Sequence, residues 1–225
     1  MKSCASQSGT LRRYGILTVI FNLFAALALA FPSAERAGAE TAPLIVALGD
    51  SLTAGYGLPP EQAFPALLEA RLKAMGVPAR VQNAGVSGDT SAGGRARLAW
   101  ALAERPALVI VELGANDALR GIEPAQTEAN LDAILAELRR RDIKVLLAGM
   151  RAPPNMGRDF AGEYDALFPR LAAKHGVPLY PFFLDGVAGQ PALNQPDGIH
   201  PNLKGVEVIV ERIAPHVKRA LAGAG

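Results

Sequence analysis

Thiol chemistry is almost absent from this chain of 225 residues: its one cysteine, Cys4, stands ahead of an apolar run near the amino terminus. With no second cysteine there is no internal disulfide, and beyond residue 4 there is no thiol nucleophile and no thiolate metal site. Histidine is scarce too, with His175, His200 and His216 the only three. A reaction that needs a base titrating near neutrality therefore has few candidates. Aromatic residues are 6% of the chain and tryptophan occurs once, Trp100, which reads as a core residue of a helix. Charge of one sign is also missing, since 23 Lys and Arg face 21 Asp and Glu. The basic excess sits in the first 39 residues, where Lys2, Arg12, Arg13 and Arg36 oppose Glu35; the rest has 19 basic and 20 acidic residues, a net of −1. A near-neutral body lacks the electrostatic footprint of a nucleic-acid-binding protein.

What is present is apolar and front-loaded. Half the residues are hydrophobic and a fifth charged, which suits one soluble globular domain with a sizeable core. Lys2, Arg12 and Arg13 precede an apolar stretch from about Tyr14 to Phe31, followed by Pro32 and Ala37-Gly38-Ala39. That order reads as an export signal cleaved before Glu40. We therefore expect a signal peptide over 1–39, a working domain over 40–225, and a periplasmic or secreted protein with no stable membrane span after cleavage. The alternative is a retained anchor, because the apolar stretch nears the lower limit for a span, although Thr18 and Asn22 weaken it.

From Thr41 onward strands alternate with helices. Leu44–Leu48 is an unbroken apolar run of the kind buried on both faces. Helical spacing follows over Glu61–Met75, a short strand over Arg80–Asn83, and a helix over Thr90–Glu104. Ala107–Leu113 reads as a central strand, Pro124–Arg141 as a long amphipathic helix, Ile143–Ala148 as a fourth strand and Val177–Tyr180 as a fifth. Leu203–Leu221 closes the chain as a helix interrupted or bent at Pro215. This alternation implies an α/β fold, a five-stranded parallel sheet with right-handed crossovers and helices on both faces. The irregular stretches 149–160 and 183–201 are long enough to be functional loops.

Four loops carry small or polar signatures: Gly49-Asp50-Ser51-Leu52-Thr53, Asn83-Ala84-Gly85-Val86-Ser87-Gly88-Asp89-Thr90, Gly114-Ala115-Asn116-Asp117 and Asp197-Gly198-Ile199-His200-Pro201-Asn202. Ser51 follows the first strand, at the sheet edge where ligands of open α/β folds bind. The same stretch is also compatible with a Ser/Asp-rich loop that caps a helix. A serine hydroxyl needs a base to become a nucleophile. His175, before Gly176, suits a helix carboxyl end, and His216 lies far along the last helix. His200 is left, on a turn with Asp197 three residues upstream, where a carboxylate can reach one imidazole nitrogen. The alternative there is a turn in which Asp197 caps local backbone. Backbone N–H groups of Ser51 and Gly88 and the amide of Asn116 are the natural donors for a developing oxyanion. Each taken singly has an ordinary structural explanation.

Taken together, Gly49-Asp50-Ser51-Leu52, Gly88, Gly114-x-Asn116-Asp117 and Asp197-x-x-His200 resemble the SGNH (GDSL-type) hydrolase family over nearly all of 43–215. The Gly-x-Ser-x-Gly elbow of α/β-hydrolases is absent. The resemblance implies a flavodoxin-like three-layer α/β/α sandwich, a triad of Ser51, Asp197 and His200, and an oxyanion hole from Ser51, Gly88 and Asn116. Ser87-Gly88-Asp89-Thr90-Ser91, Val111-Glu112-Leu113-Gly114, Leu119-Arg120-Gly121 and Pro181-Phe182-Phe183 look like the bacterial periplasmic thioesterase I/lysophospholipase L1 branch, often called arylesterase. That likeness implies hydrolysis of acyl esters and thioesters by a monomer without cofactor or metal. Ala115 and Ala118 depart from it, standing where glycine is expected, and alanine stiffens the loop.

Apolar candidates for the substrate pocket are Leu119, Ile122, Pro153, Pro154, Met156, Phe160 and Phe183, each equally explained by loop packing. Arg120, Arg151 and Arg158 are candidates to meet a phosphate or carboxylate, or are plain surface charge. Asp50 and Asp117 read as loop-holding hydrogen-bond acceptors. Two other functions remain open at this stage. A metal-dependent phosphoesterase needs several more carboxylate or histidine ligands than this pattern offers. A lysolipid or fatty-acid binding protein would keep the pocket without turnover.

Overall fold

A computed structural model describes Met1 and residues 42–223; the leader read over 1–39 lies, Met1 apart, outside the described residues. Every residue of β1 (Leu44–Gly49) is buried, as a strand covered on both faces requires. The remaining strands are β2 (Arg80–Gly85), β3 (Leu108–Glu112), β4 (Lys144–Ala148) and β5 (Leu179–Tyr180). All pair in parallel in the order β2-β1-β3-β4-β5. This is the doubly wound, flavodoxin-like arrangement, in which the winding reverses between β1 and β3 and ligands bind beyond the strand ends at that point.

The helices are α1 (Ser51–Ala54), α2 (Phe64–Ala74), α3 (Ser91–Ala96), α4 (Leu98–Ala101), α5 (Ala115–Leu119), α6 (Pro124–Arg140), α7 (Arg158–His175) and α8 (Leu203–Ala222). α2 packs on α8, and α6 packs on α3 and α7. None of the described helices is long and apolar enough to cross a membrane.

Four local readings differ from the structure. The helix expected from Glu61 begins at Phe64, because Pro65 lacks an N–H and fits only a first turn, while Pro60–Gln62 makes a separate 3-10 turn. The helix expected over Thr90–Glu104 is two short ones, with Arg97 between them at φ −100° and ψ 7°. Gly93 and Gly94 weaken it, and Arg97 is held elsewhere, as described below. Trp100 is 63% exposed rather than in the core, because α4 buries Leu98 and Ala101 and so turns Trp100 outward. α8 runs through Pro215 unbroken.

Candidate active site

The site is built where β1 and β3 end. β1 stops at Gly49, and an added Cβ there would lie 2.1 Å from Thr53 Oγ1 and 2.4 Å from Glu112 Oε2, so only glycine lets the chain turn so tightly. Asp50 then caps α1: its Oδ1 accepts from Leu52 N–H at 3.0 Å. Ser51 is the first residue of that helix and lies half-buried at its amino end.

His200 arrives from the other end of the chain. The Pro191–Leu193 turn, the Asn194–Pro201 bridge and Gln195 fix its loop; Gln195 N–H donates to His200 O at 2.7 Å and its side-chain amide to Tyr56 O, also at 2.7 Å. Nε2 of His200 lies 2.9 Å from Ser51 Oγ, and Nδ1 lies 2.7 Å from Asp197 Oδ2. Asp197 does two things at once. Oδ1 accepts from Ile199 N–H and His200 N–H, both at 3.0 Å, while Oδ2 faces the imidazole. The local cap and the histidine partner are therefore one residue using two oxygens. The backbone and ring donors of His200, with Ile199 N–H, hold the Asp197 carboxyl down to about 2. An ionised carboxylate has no proton to donate, so Nδ1 carries the hydrogen and Nε2 is left to accept from Ser51. The Tyr56 ring covers the imidazole at 4.5 Å between centroids.

Asn116, on α5 just beyond β3, donates from Nδ2 to Asp89 O at 2.9 Å and to Asp50 Oδ2 at 3.2 Å. It thus joins the Ser51 loop to the Gly88 loop. Gly88 has φ +83°, and its carbonyl accepts from Arg120 at 2.8 Å. Arg97 clamps the same region: its guanidinium donates to Asp89 Oδ2 at 2.5 Å, Ala84 O at 2.7 Å and Gly49 O at 2.8 Å. The sequence reading passed over Arg97, since no spacing rule links it to strand ends far from it in the chain. Asp117 holds its loop as expected, accepting from Ser91 N–H and Oγ–H and from Thr127 Oγ–H.

Beneath the nucleophile lie two buried carboxyl groups. Glu112 Oε2 accepts from Thr53 Oγ1 at 2.6 Å and from Asp50 N–H at 3.4 Å, whereas Oε1 has no partner among the described residues. Burial, reinforced by Asp50, pushes Glu112 well above the usual carboxylate range. Burial also raises Asp50, to about 6, against the pull of its bonds from Leu52 and Asn116. Asp50, with the better donors, takes the negative charge, and Glu112 keeps its proton.

A cleft of about 180 Å³ opens over Ser51 and His200, walled by Leu119, Met150, Pro153, Phe182, Leu184 and Ile199. It is small beside the several hundred Å³ of a pocket that encloses a whole ligand, and its lining residues Leu119 and Ile199 are exposed. Of the expected wall residues, Leu119 and Pro153 line it; Ile122, Pro154, Met156, Phe160 and Phe183 do not. Phe183 is fully buried and packs edge-on against Phe64 at 5.0 Å, while its neighbour Phe182 faces the cleft. Phe160 stacks on Tyr164, and Met156 lies beside Gly121. The two phenylalanines stand where a turn follows β5, and no periodicity in the sequence tells which of them is buried. A roomier hollow of about 370 Å³ lies where β4 and β5 begin, but its one imidazole, His175, is taken by Asp132 at 2.7 Å. Among the described residues no group of three or more His, Cys, Asp or Glu could hold a metal ion.

The fold and the site together define a class: a parallel α/β protein with a Ser–His–Asp line at the switch point of its sheet. Comparison with known proteins gives the family. A sequence model of the GDSL-like lipase/acylhydrolase family matches residues 47–208, and the chain belongs to that family. It is 44% identical over 188 residues to Esterase TesA of Pseudomonas aeruginosa, covering 83% of this chain and 92% of that protein. It is 41% identical over 181 residues to Thioesterase 1/protease 1/lysophospholipase L1 of Escherichia coli K12, covering 80% and 86%. The crystal structure of the psychrotrophic esterase EstA from Pseudoalteromonas sp., inhibited by monoethylphosphonate, superposes with a TM-score of 0.76 at 32% identity, over 80% of this chain and 99% of that one. The protein is a hydrolase that acts on ester bonds.

Proposed function

We propose that Ser51 is the nucleophile of a serine esterase that hydrolyses acyl esters and thioesters through an acyl-enzyme. The observation that carries this reading is the unbroken line from Ser51 Oγ through the His200 ring to Asp197, 2.9 Å and then 2.7 Å. Ser51 Oγ attacks the acyl carbonyl as its proton passes to His200 Nε2. Asp197 holds the Nδ1–H and stabilises the imidazolium. The imidazolium then gives its proton to the leaving alcohol or thiol, and water, activated by the same imidazole, releases the acid from Ser51. The oxyanion is met by the N–H groups of Ser51 and Gly88 and by Asn116, whose longer bond, to Asp50, is the one an oxyanion displaces. The apolar walls support an acyl chain as the recognised part.

The leader supports export, so the working protein is residues 40–225, in the periplasm or outside the cell. The test is hydrolysis of a p-nitrophenyl acyl ester by wild type and Ser51→Ala, with and without chelator. Chelator-resistant turnover that disappears in Ser51→Ala is expected. Turnover that survives the substitution, or that a chelator abolishes, rules the reading out, and a folded protein with no turnover would be a binder instead. Amino-terminal sequencing of the exported protein is expected to begin at Glu40.

A further inference from the structure

The cleft contains a charge that the acyl-transfer step does not use. Arg151 is the only permanently charged side chain among the residues lining it, and every other wall contact is apolar or belongs to the Ser51–His200–Asn116 constellation or its backbone. Its guanidinium lies 5.0 Å from the centroid of the Phe182 ring, another wall residue. No described carboxylate forms an ion pair with it, in contrast to Arg71, Arg80, Arg97, Arg140, Arg141, Arg170 and Arg212. Asp165, the acid that reaches the same loop, accepts from Ala152 N–H at 2.9 Å and so fixes the backbone rather than the guanidinium. Asp197 is committed to His200.

From this arrangement we infer that Arg151 makes the site selective for acyl donors that carry an anionic group away from the reacting carbonyl. The inference rests on the reading of Ser51 as nucleophile and names the substrate class of that same site. A neutral ester gains only from the apolar walls. An ester bearing a phosphate or carboxylate gains in addition an ion pair with a cation already ordered against Phe182, so that less side-chain freedom is lost on binding. A guanidinium meets either anion with two parallel N–H donors. The side chain is exposed, so the anion stays at the cleft mouth in contact with water while the reacting carbonyl lies at Ser51. Two sources present this chemistry: a phosphorylated alcohol or thiol as leaving group, or a carboxylate at the far end of the acyl chain.

The experiment compares three esters of matched acyl length: one neutral, one with a phosphate-bearing leaving group, and one with a terminal carboxylate on the acyl chain. kcat/KM is measured for wild type, Arg151→Lys, Arg151→Gln and Arg151→Glu at low and high salt, with melting temperatures to verify folding. Wild type is expected to favour at least one anionic ester over the neutral one by about fivefold, the scale of an exposed charge pair. The ratio is expected to shrink but stay above one in Arg151→Lys, which keeps the charge and loses the paired donors, to fall to about one in Arg151→Gln, to drop below one in Arg151→Glu, and to shrink with salt. Which anionic ester follows the pattern identifies the source. If all three esters lose rate together at constant ratio, Arg151 acts by packing on Phe182 and the inference is overturned. A ratio unmoved by Arg151→Glu overturns it as well. Failure of wild type to turn over even the neutral ester strikes the reading of Ser51 itself, and this outcome is distinct from the other two.

Discussion

Thr53 donates its hydroxyl to Glu112 at 2.6 Å, fastening the turn that carries Ser51 to the end of β3. That bond is made by a carboxyl group with no exposed surface. The folded state holds Glu112 protonated well above 4.5, while the unfolded chain releases the proton at ordinary acidity. Folding therefore binds a proton there, and stability falls as pH rises from about 4.5 toward the folded value. Asp50, raised from 3.8 to about 6, acts in the same direction over that window. Glu112→Gln keeps the shape and an acceptor for Thr53 while removing the proton. Melting curves are expected to show the variant losing less stability than wild type between pH 5 and pH 8. Parallel losses would mean that Glu112 is ionised in the folded protein.

Asn116 is the only side-chain donor assigned to the oxyanion. Asn116→Ala is expected to lower kcat by roughly 10²–10³ with little change in KM, the scale for removing one such donor. Asn116→Asp should be at least as damaging, because it places a negative charge beside Asp50. A fall in kcat of less than about threefold for both would remove Asn116 from the reaction.

Asp197→Asn tests the second role of that residue. Asparagine retains an oxygen for the Ile199 and His200 N–H groups, so the loop should stay folded. Its amide cannot hold the Nδ1–H tautomer, and kcat/KM is expected to fall by roughly 10³–10⁴. In wild type the bonds that hold Asp197 down to about 2 contribute stability above its unfolded value near 3.8. That contribution is lost as pH drops from there toward 2, so acid melting of wild type should steepen in this range and that of the variant should not.

Arg97 touches nothing that reacts and positions three segments that do. Arg97→Met removes a donor from Asp89, the Ala84 carbonyl and the Gly49 carbonyl, the last of which keeps Val86 N–H at 3.1 Å; each acceptor left unpaired costs about 1–3 kcal/mol as an upper range. A lower melting temperature alone would fit a merely structural part. The positioning role predicts more: kcat reduced about tenfold or more on a folded variant at low temperature, with KM nearly constant. Arg97→Lys should restore stability better than rate, because a point charge cannot reach all three acceptors.

Trp100, the single tryptophan, is expected to emit like a solvated indole and to be quenched freely by iodide. A blue-shifted, protected signal would mean that α4 faces inward.

Much of the fold was legible because burial leaves a simple mark. β1 is apolar throughout and β3 is apolar up to its last residue, Glu112, and only a strand covered on both faces needs that. α6 shows its inner face as Leu131, Ile134, Leu135 and Leu138. Where the sequence reading failed, a distant contact outweighed a local pattern. The stretch after Thr90 has helical spacing, yet it breaks at Arg97, whose partners lie on β1, on β2 and in the Gly88 loop. Phe182 and Phe183 are equivalent as letters, and only packing against Phe64 decides which of them faces the cleft.

The chain's order of residues determined which groups are available for chemistry: one histidine on a loop, a serine at the end of the first strand, an asparagine at the end of the third. It determined the alternation of strand and helix as well, because hydrophobic periodicity is local. Tertiary structure alone decided that Ser51 and His200, separated by 149 positions, stand 2.9 Å apart, and that Arg97 and Glu112 brace the ground beneath them. The physical reason is range. Periodicity and capping act within a few residues, whereas these contacts exist only once five strands have paired and brought their carboxyl ends to one edge.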